Sequence, residues 1–167
     1  METARIVVLC CELVTVAIAV YTDVRYQKIY NWLTLPAAAV GMLVQLAGWG
    51  WGGVFASGLS SSITGAAFCA VVFGVFAYWR RGFGMGDVKL LAALGAQAGF
   101  LPVLKLVMYA AIIGAMLSLL WVGVGIFTGG GNPDSRGSGL PRLPYAIAIA
   151  LGTVLQIVSE LGWVGLL

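Results

Sequence analysis

The sequence predicts an all-α membrane protein, a polytopic bundle of six transmembrane helices. Two values point to a membrane: 61% of the 167 residues are hydrophobic and 9% are charged. A water-soluble domain carries roughly 25% charged residues, so this chain has too few polar side chains to cover a water-soluble surface. A third observation gives the number of helices, because the apolar residues fall into six runs and each spanning helix needs about 20 such residues.

The six apolar runs follow one another along the chain. In order, they are Ile6–Thr22, Trp32–Leu46, Val54–Trp79, Val88–Phe100, Val103–Thr128 and Pro144–Leu166. The second run starts after the polar stretch 23–31, the third after the glycine-rich stretch 48–53, and the fourth after the basic and glycine-rich stretch 80–87. Leu101 and Pro102 separate the fourth run from the fifth, and a glycine-rich loop, 129–143, precedes the sixth. The fourth run is short, so we expect its helix to tilt or to begin before Asp87.

Basic residues set the predicted orientation, because cytoplasmic loops of membrane proteins carry an excess of lysine and arginine. Alternate loops of a six-span chain lie on the same side of the membrane. One side collects seven basic residues: Arg25, Lys28, Arg80, Arg81, Lys89, Arg136 and Arg142. The other side collects Arg5 and Lys105. The first side is therefore predicted to be cytoplasmic, which places both termini outside and makes the chain a multi-pass protein of the inner (cytoplasmic) membrane.

Composition argues against several other features. The chain has no histidine, the commonest metal ligand, and its three cysteines form no C-x-x-C pair, so we expect no metal and no cofactor. A net charge of +3 without a clustered basic face gives no reason to expect nucleic acid as a partner.

Residues 1–19 also fit a cleaved signal peptide, with Ala17-Ile18-Ala19 as the cleavage pattern, but their weak positive charge favours a retained first helix.

Two aspartates lie at the predicted cytoplasmic edge of the bundle. Asp23 ends the first run, which passes from outside to inside, and Asp87 starts the fourth, which passes from inside to outside. Two carboxyl groups brought close together share one proton, so that one can activate water while the other protonates a leaving amine. This is the chemistry of aspartic proteolysis. The alternative is that Asp87 only caps the fourth helix and that Asp23 is a polar residue at the edge of a loop.

Gly84 and Gly86 precede Asp87 directly. Glycine adopts positive φ without strain and has no Cβ. We therefore expect these two residues to turn the chain sharply into the fourth helix and to let a substrate backbone approach the carboxyl group.

Three segments resemble the prepilin peptidases, which are G-x-G-D membrane aspartic proteases. They are GMGDVKLLAALGAQAG (84–99), DVRYQKIYNWLTLP (23–36) and LPYAIAIALG (143–152), in the order 23–36, 84–99, 143–152 that the family also has. The resemblance implies that Asp23 and Asp87 are the catalytic pair and that Gly84 and Gly86 are the glycines of the motif. One departure is Ile29-Tyr30-Asn31, where the family often has I-P-N.

The resemblance also implies roles for three further residues. Lys89, Arg25 and Asn31 match family positions near the site and are candidates for substrate binding or support of the site. Simpler roles stay open, because Asn31 fits the cap of the second helix and the two basic residues fit topology determinants.

The function implied by the resemblance is removal of the short basic leader of a prepilin or pseudopilin, whose apolar helix lies in the lipid bilayer. The chain is similar to the short, peptidase-only form found in Flp/Tad pilus systems, so residues 1–167 are expected to form a single transmembrane peptidase domain without the N-terminal methyltransferase and zinc domain. Two alternatives stay open: an inactive scaffold subunit of a pilus assembly machine, or a small proton-coupled transporter that uses Glu12 and Glu160.

Overall fold

The computed structural model describes residues 2–26, 29–79, 84–127 and 145–164. These residues form six α-helices, which confirms the predicted all-α class. The helices are α1 (Glu2–Tyr26), α2 (Asn31–Trp49), α3 (Leu59–Trp79), α4 (Met85–Ala98), α5 (Phe100–Phe127) and α6 (Tyr145–Val164).

Five of the six helices are long and apolar enough to cross a membrane. The candidate spans are Thr3–Tyr26, Asn31–Trp49, Leu59–Trp79, Phe100–Leu120 and Tyr145–Gly162. The remaining helix, α4, has 14 residues. At about 1.5 Å per residue it is about 21 Å long, which is less than the roughly 30 Å of a bilayer core. The structure thus supports five spans by length and composition and makes α4 a shorter element among them.

The break between α4 and α5 lies at Gly99 and not at Leu101 and Pro102, where the sequence had placed it. Gly99 has φ +86, a left-handed conformation that ends α4, and its N–H donates to the Gly95 carbonyl at 3.0 Å. Pro102 lies in the first turn of α5, where backbone N–H groups have no partner within the helix, so the N–H that proline lacks costs no helical hydrogen bond. The prediction was wrong because proline was read as a break when here it starts a helix.

Helix α4 forms the centre of the bundle and contacts all five other helices. Nine of its residues are buried, on all sides of the helix: Val88, Leu90, Leu91, Ala93, Leu94, Gly95, Ala96, Gln97 and Ala98. A helix that is apolar all round belongs in an interior. Its exposed beginning and buried body place the first turn of α4 at one end of the bundle, surrounded by the ends of other helices.

Helices α3 and α4 approach each other through two glycines. A Cβ on Gly65 would lie 2.6 Å from the Gly95 carbonyl oxygen, and a Cβ on Gly95 would lie 2.6 Å from the Gly65 carbonyl oxygen. Beside this contact, the Ser62 hydroxyl donates to the Ala96 carbonyl. Small residues that bring backbones together, with hydrogen bonds across the contact, are the usual basis of helix association in membranes.

Candidate active site

The structure brings Asp23 and Asp87 to one cavity of about 450 Å³. Asp23 lies in the last turns of α1, and Asp87 lies in the first turn of α4. The cavity is lined by Asp23, Ile29, Tyr30, Asn31, Gly84, Met85, Gly86 and Asp87. The two carboxyl groups, the two motif glycines and Asn31 thus come together from three separate parts of the chain, as the crossing directions of the first and fourth runs had suggested.

Asp87 is not the N-cap of α4. The cap is Gly84, with extended backbone at φ −71 and ψ 130, and Asp87 is the third residue of the helix. The backbone N–H of Asp87 donates to the Gly84 carbonyl at 3.0 Å. Its carboxyl group is therefore available to the cavity rather than being used to cap the helix.

The two motif glycines act through their missing Cβ atoms and not through positive φ. Gly84 has negative φ, and Gly86 is not among the described glycines with positive φ. A Cβ on Gly84 would lie 3.2 Å from Asp87 Oδ2, and a Cβ on Gly86 would lie 3.1 Å from the Cβ of Ile29. The expected sharp turn at positive φ is wrong for these two residues. What they provide is room around the Asp87 carboxyl group and between α4 and Ile29.

Burial and a neighbouring charge raise the pKa of Asp87 from 3.8 to about 6. Burial is the larger cause, and the charge of Asp23 is the second. The position in the first turn of a helix favours an ionised carboxylate, so here burial outweighs the helix dipole. A carboxyl group with this pKa can hold a proton near working pH while its neighbour is ionised.

The beginning of α6 also reaches the site. The backbone N–H of Ala146 donates a hydrogen bond to the Asp23 carboxylate, and Tyr145 interacts electrostatically with Asp87. The N–H groups in the first turn of a helix have no partner within the helix and are free to bind a carboxylate. The sequence connected this segment with the site only through its resemblance to the prepilin peptidases. The start of a helix at Tyr145, which offers free N–H groups to a carboxylate, could also have indicated the connection.

Lys89 holds the side chain of Asn31. Its Nζ donates to Asn31 Oδ1 at 2.9 Å, which joins the start of α2 to the first turns of α4. Because lysine has no acceptor, the amide oxygen must face Lys89 and the NH₂ group must point the other way. The described residues offer that NH₂ group no other hydrogen-bond partner. Asn31 is the first residue of α2, after the N-cap Tyr30, so the capping role considered for it is not observed.

Other candidate residues lie farther from the cavity or outside the described ranges. Arg25 is exposed in the last turn of α1, and neither Arg25 nor Lys89 lines the cavity. Of the seven basic residues used to predict orientation, five lie outside the described residues: Lys28, Arg80, Arg81, Arg136 and Arg142. Across the ranges that the structure describes, no group of three or more Cys, Asp or Glu residues is arranged to hold a metal ion.

The sequence profile of the type IV leader peptidase family matches residues 10–119. This chain belongs to the type IV leader peptidase family. The matched region begins inside α1 and ends inside α5, and it contains Asp23, Asn31, Asp87 and Lys89. The family assignment and the cavity therefore concern the same part of the chain.

Three curated relatives illustrate the similarity, and each is named a prepilin leader peptidase/N-methyltransferase. The Dickeya chrysanthemi protein is 31% identical over 163 residues, which cover 93% of this chain and 52% of the relative. The Stutzerimonas stutzeri protein is 28% identical over 156 residues, which cover 87% of this chain and 44% of the relative. The protein of Burkholderia pseudomallei strain K96243 is 37% identical over 90 residues, covering 53% and 28%. This leader peptidase family chain thus spans about half or less of the length of these relatives. No solved structure gives a significant match.

Proposed function

We propose that this chain is an aspartic endopeptidase of the membrane that removes the short basic leader of type IV prepilin-like substrates at the cytoplasmic face. The observation that carries this proposal is the single cavity onto which both Asp23 and Asp87 open. Membership of the leader peptidase family supports leader removal as the reaction. Five helices long enough to span a bilayer support an integral membrane location.

In the proposed reaction, Asp87 supplies the proton and Asp23 acts as the base. Burial and the Asp23 charge raise the pKa of Asp87 to about 6, so near neutral pH the Asp87 carboxyl group is protonated in a larger fraction of molecules than an ordinary aspartate is. Asp23 then takes a proton from a water molecule that attacks the scissile carbonyl, while Asp87 protonates the carbonyl oxygen and later the leaving amine. The Ala146 N–H donates to the Asp23 carboxylate and favours its ionised form, as a base requires.

The position of the cavity suits a substrate that changes from leader to apolar helix at the membrane edge. The cavity lies where α1 ends and where α2 and α4 begin, so a peptide there would lie beside the helix ends and not among their middles. A helical peptide bond is protected by its own hydrogen bonds, so the segment to be cut must be extended. A glycine at the cleavage point allows that backbone and a close approach to Asp87 beside Gly84.

Asn31 is proposed to bind the substrate through its NH₂ group, with Lys89 holding the amide in place. We expect Asn31→Ala to lower kcat/KM by about 10²-fold, as loss of a donor to a developing oxyanion does. Lys89→Met should lower it about tenfold, because the amide loses its orientation. The double variant should be no worse than Asn31→Ala alone, since Lys89 acts through Asn31. Steady-state kinetics with a prepilin peptide measure all three.

Lys89→Arg provides the control for this pair, because arginine keeps a charged donor at the same position. It should recover most of the activity that Lys89→Met loses. Fully additive losses in the double variant would contradict a shared role for the two residues.

The raised pKa of Asp87 predicts how stability changes with pH. A carboxyl group whose pKa rises from 3.8 to about 6 on folding favours the native state below pH 4 and loses that contribution as pH rises through 6. The neutral variant Asp87→Asn lacks this loss. Its midpoint of thermal unfolding should therefore exceed that of the native protein by a few degrees at pH 7 to 8, with the difference vanishing near pH 4. Parallel curves at all pH values would contradict the raised pKa.

The wild-type activity can be tested with purified protein in liposomes and a synthetic peptide that has a basic leader, a glycine and an apolar helix. Mass spectrometry should find a single cut after the glycine, and a matched peptide with leucine in place of that glycine should be cut much more slowly. A scaffold subunit would fold without cutting either peptide. A proton-coupled transporter would also leave both intact and would show uptake that depends on Glu12 or Glu160.

A further inference from the structure

A second cavity, of about 310 Å³, lies at the end of the bundle opposite the aspartates. Its α1 residues, Arg5 to Glu12, belong to the half of that helix away from Asp23. Residues of α2, α4, α5 and α6 complete its wall, among them Gln45, Gln156 and Glu160. The proposed peptidase reaction uses none of these residues.

Three buried oxygen atoms of residues that line this cavity have no hydrogen-bond donor among the described residues. Glu12 is 0% exposed and Gln156 is 1% exposed, and both line the cavity. Both carboxylate oxygens of Glu12 and the Oε1 of Gln156 are buried without a hydrogen-bond partner among the described residues. A buried carboxylate without a partner costs several kcal/mol, so such groups in native proteins are neutralised or bind something. With Glu12 ionised, all three unpaired atoms are acceptors, which calls for a cation or a hydrogen-bond donor.

Two of the polar side chains that line the cavity are already bound to other atoms. Gln45 donates to the Gln97 carbonyl at 2.9 Å and accepts from the Gly58 N–H at 3.0 Å. Glu160 forms ion pairs with Arg5 and with Lys105, each at 2.7 Å. Arg5 and Lys105 are thus held by a carboxylate that is partly exposed, whereas the unpaired acceptors are buried.

Charge and ligand type narrow the class of ligand. Carboxylate and amide oxygens bind hard metal ions such as those of the alkali and alkaline-earth groups. With Glu12 ionised, the charges of Arg5, Lys105, Glu12 and Glu160 sum to zero. A monovalent ion brings the site to +1, the same charge that protonation of Glu12 gives, whereas a divalent ion brings it to +2. A monovalent ion therefore neutralises the buried carboxylate at the smaller electrostatic cost.

We propose that this cavity is a binding site for one monovalent metal cation, Na⁺ or K⁺, held by the Glu12 carboxylate and by Gln156 Oε1. Water molecules complete its coordination, since a volume of about 310 Å³ holds several at roughly 30 Å³ each. The bound ion connects α1 to α6 at the end of the bundle away from the aspartates.

Thermal unfolding of the purified full chain in detergent tests this site without any peptidase assay. At pH 8 and constant ionic strength, NaCl or KCl should raise the midpoint by about 3 °C over choline chloride. Glu12→Gln should abolish the difference, and Gln156→Leu should increase the ion concentration needed by about tenfold. Asp87→Asn should keep the full response, because that acid lies at the opposite end of the bundle.

Direct measurement of ion binding to the native protein tests the proposal even if Glu12→Gln does not fold. Line broadening of the ²³Na or ³⁹K resonance in nuclear magnetic resonance should appear with the native protein and should decrease when an excess of the other alkali ion is added. Identical midpoints in metal and choline salts together with unbroadened lines would overturn the proposal and leave a proton, or Arg5, as the partner of Glu12. A response to Mg²⁺ or Ca²⁺ alone would overturn it as well.

Discussion

Replacement of Asp23 or Asp87 by asparagine is expected to lower kcat/KM for leader cleavage by about 10³-fold or more. Asparagine has the shape of aspartate but can neither take a proton from water nor give one to the carbonyl oxygen. Because both carboxyl groups line the same cavity, neither can replace the other in the reaction. Each single variant should therefore be as inactive as the double variant, as expected of groups that act as a unit.

The control for these variants is Asp134→Asn, which removes an acid from the sequence between α5 and α6 and should leave cleavage unchanged. Membrane insertion and thermal unfolding are measured in parallel, so that loss of activity can be separated from loss of fold. Normal cutting by Asp23→Asn would refute the proposed pairing.

The second large effect is expected at the contact between α3 and α4. Gly65→Ala places a Cβ at 2.6 Å from the Gly95 carbonyl oxygen and at 2.9 Å from the Gly99 carbonyl carbon. Both are backbone atoms and cannot move aside as a side chain would. We expect a loss of about 3 kcal/mol in the free energy of unfolding, at the upper end of overpacking effects, and a fall of roughly 9 °C in the midpoint of thermal unfolding.

A matched control is available in the same helix. Gly74 has nothing within 4 Å of the position its Cβ would take. Gly74→Ala should therefore be neutral or stabilising by up to about 1 kcal/mol, since alanine is the better helix former. Equal effects of the two substitutions would contradict the proposal that the close approach of the two backbones makes Gly65 sensitive to an added Cβ.

Much of the architecture could be predicted because a bilayer restricts what a chain can do. Long apolar runs must form helices, since lipid offers no partner for backbone N–H and carbonyl groups. Alternating crossing directions then bring the end of one helix and the start of another to the same face, which was enough to pair Asp23 with Asp87. The side of the membrane on which each terminus lies stays a prediction.

Local features of the site were harder to predict. The sequence allowed two roles for Gly84, positive φ and the absence of a Cβ, and the structure shows ordinary extended backbone and a position close to Asp87 Oδ2. Both glycine properties fit the same sequence, and only the neighbours decide between them. Likewise, the spacing of Asn31 and Lys89 along the chain does not reveal that the two side chains are hydrogen-bonded.

The sequence by itself determined the helices, their approximate ends and the two acids at one edge of the bundle. The length of each apolar run and the polar residues between runs can be read directly from the order of residues. Tertiary structure alone decided that the short α4 is the centre of the bundle, that α6 begins beside Asp23, and that Glu12 and Gln156 line the same second cavity. The physical reason is that apolar helices carry little sign of which face packs inward. That choice is made by the fit of small residues against the backbones of neighbouring helices.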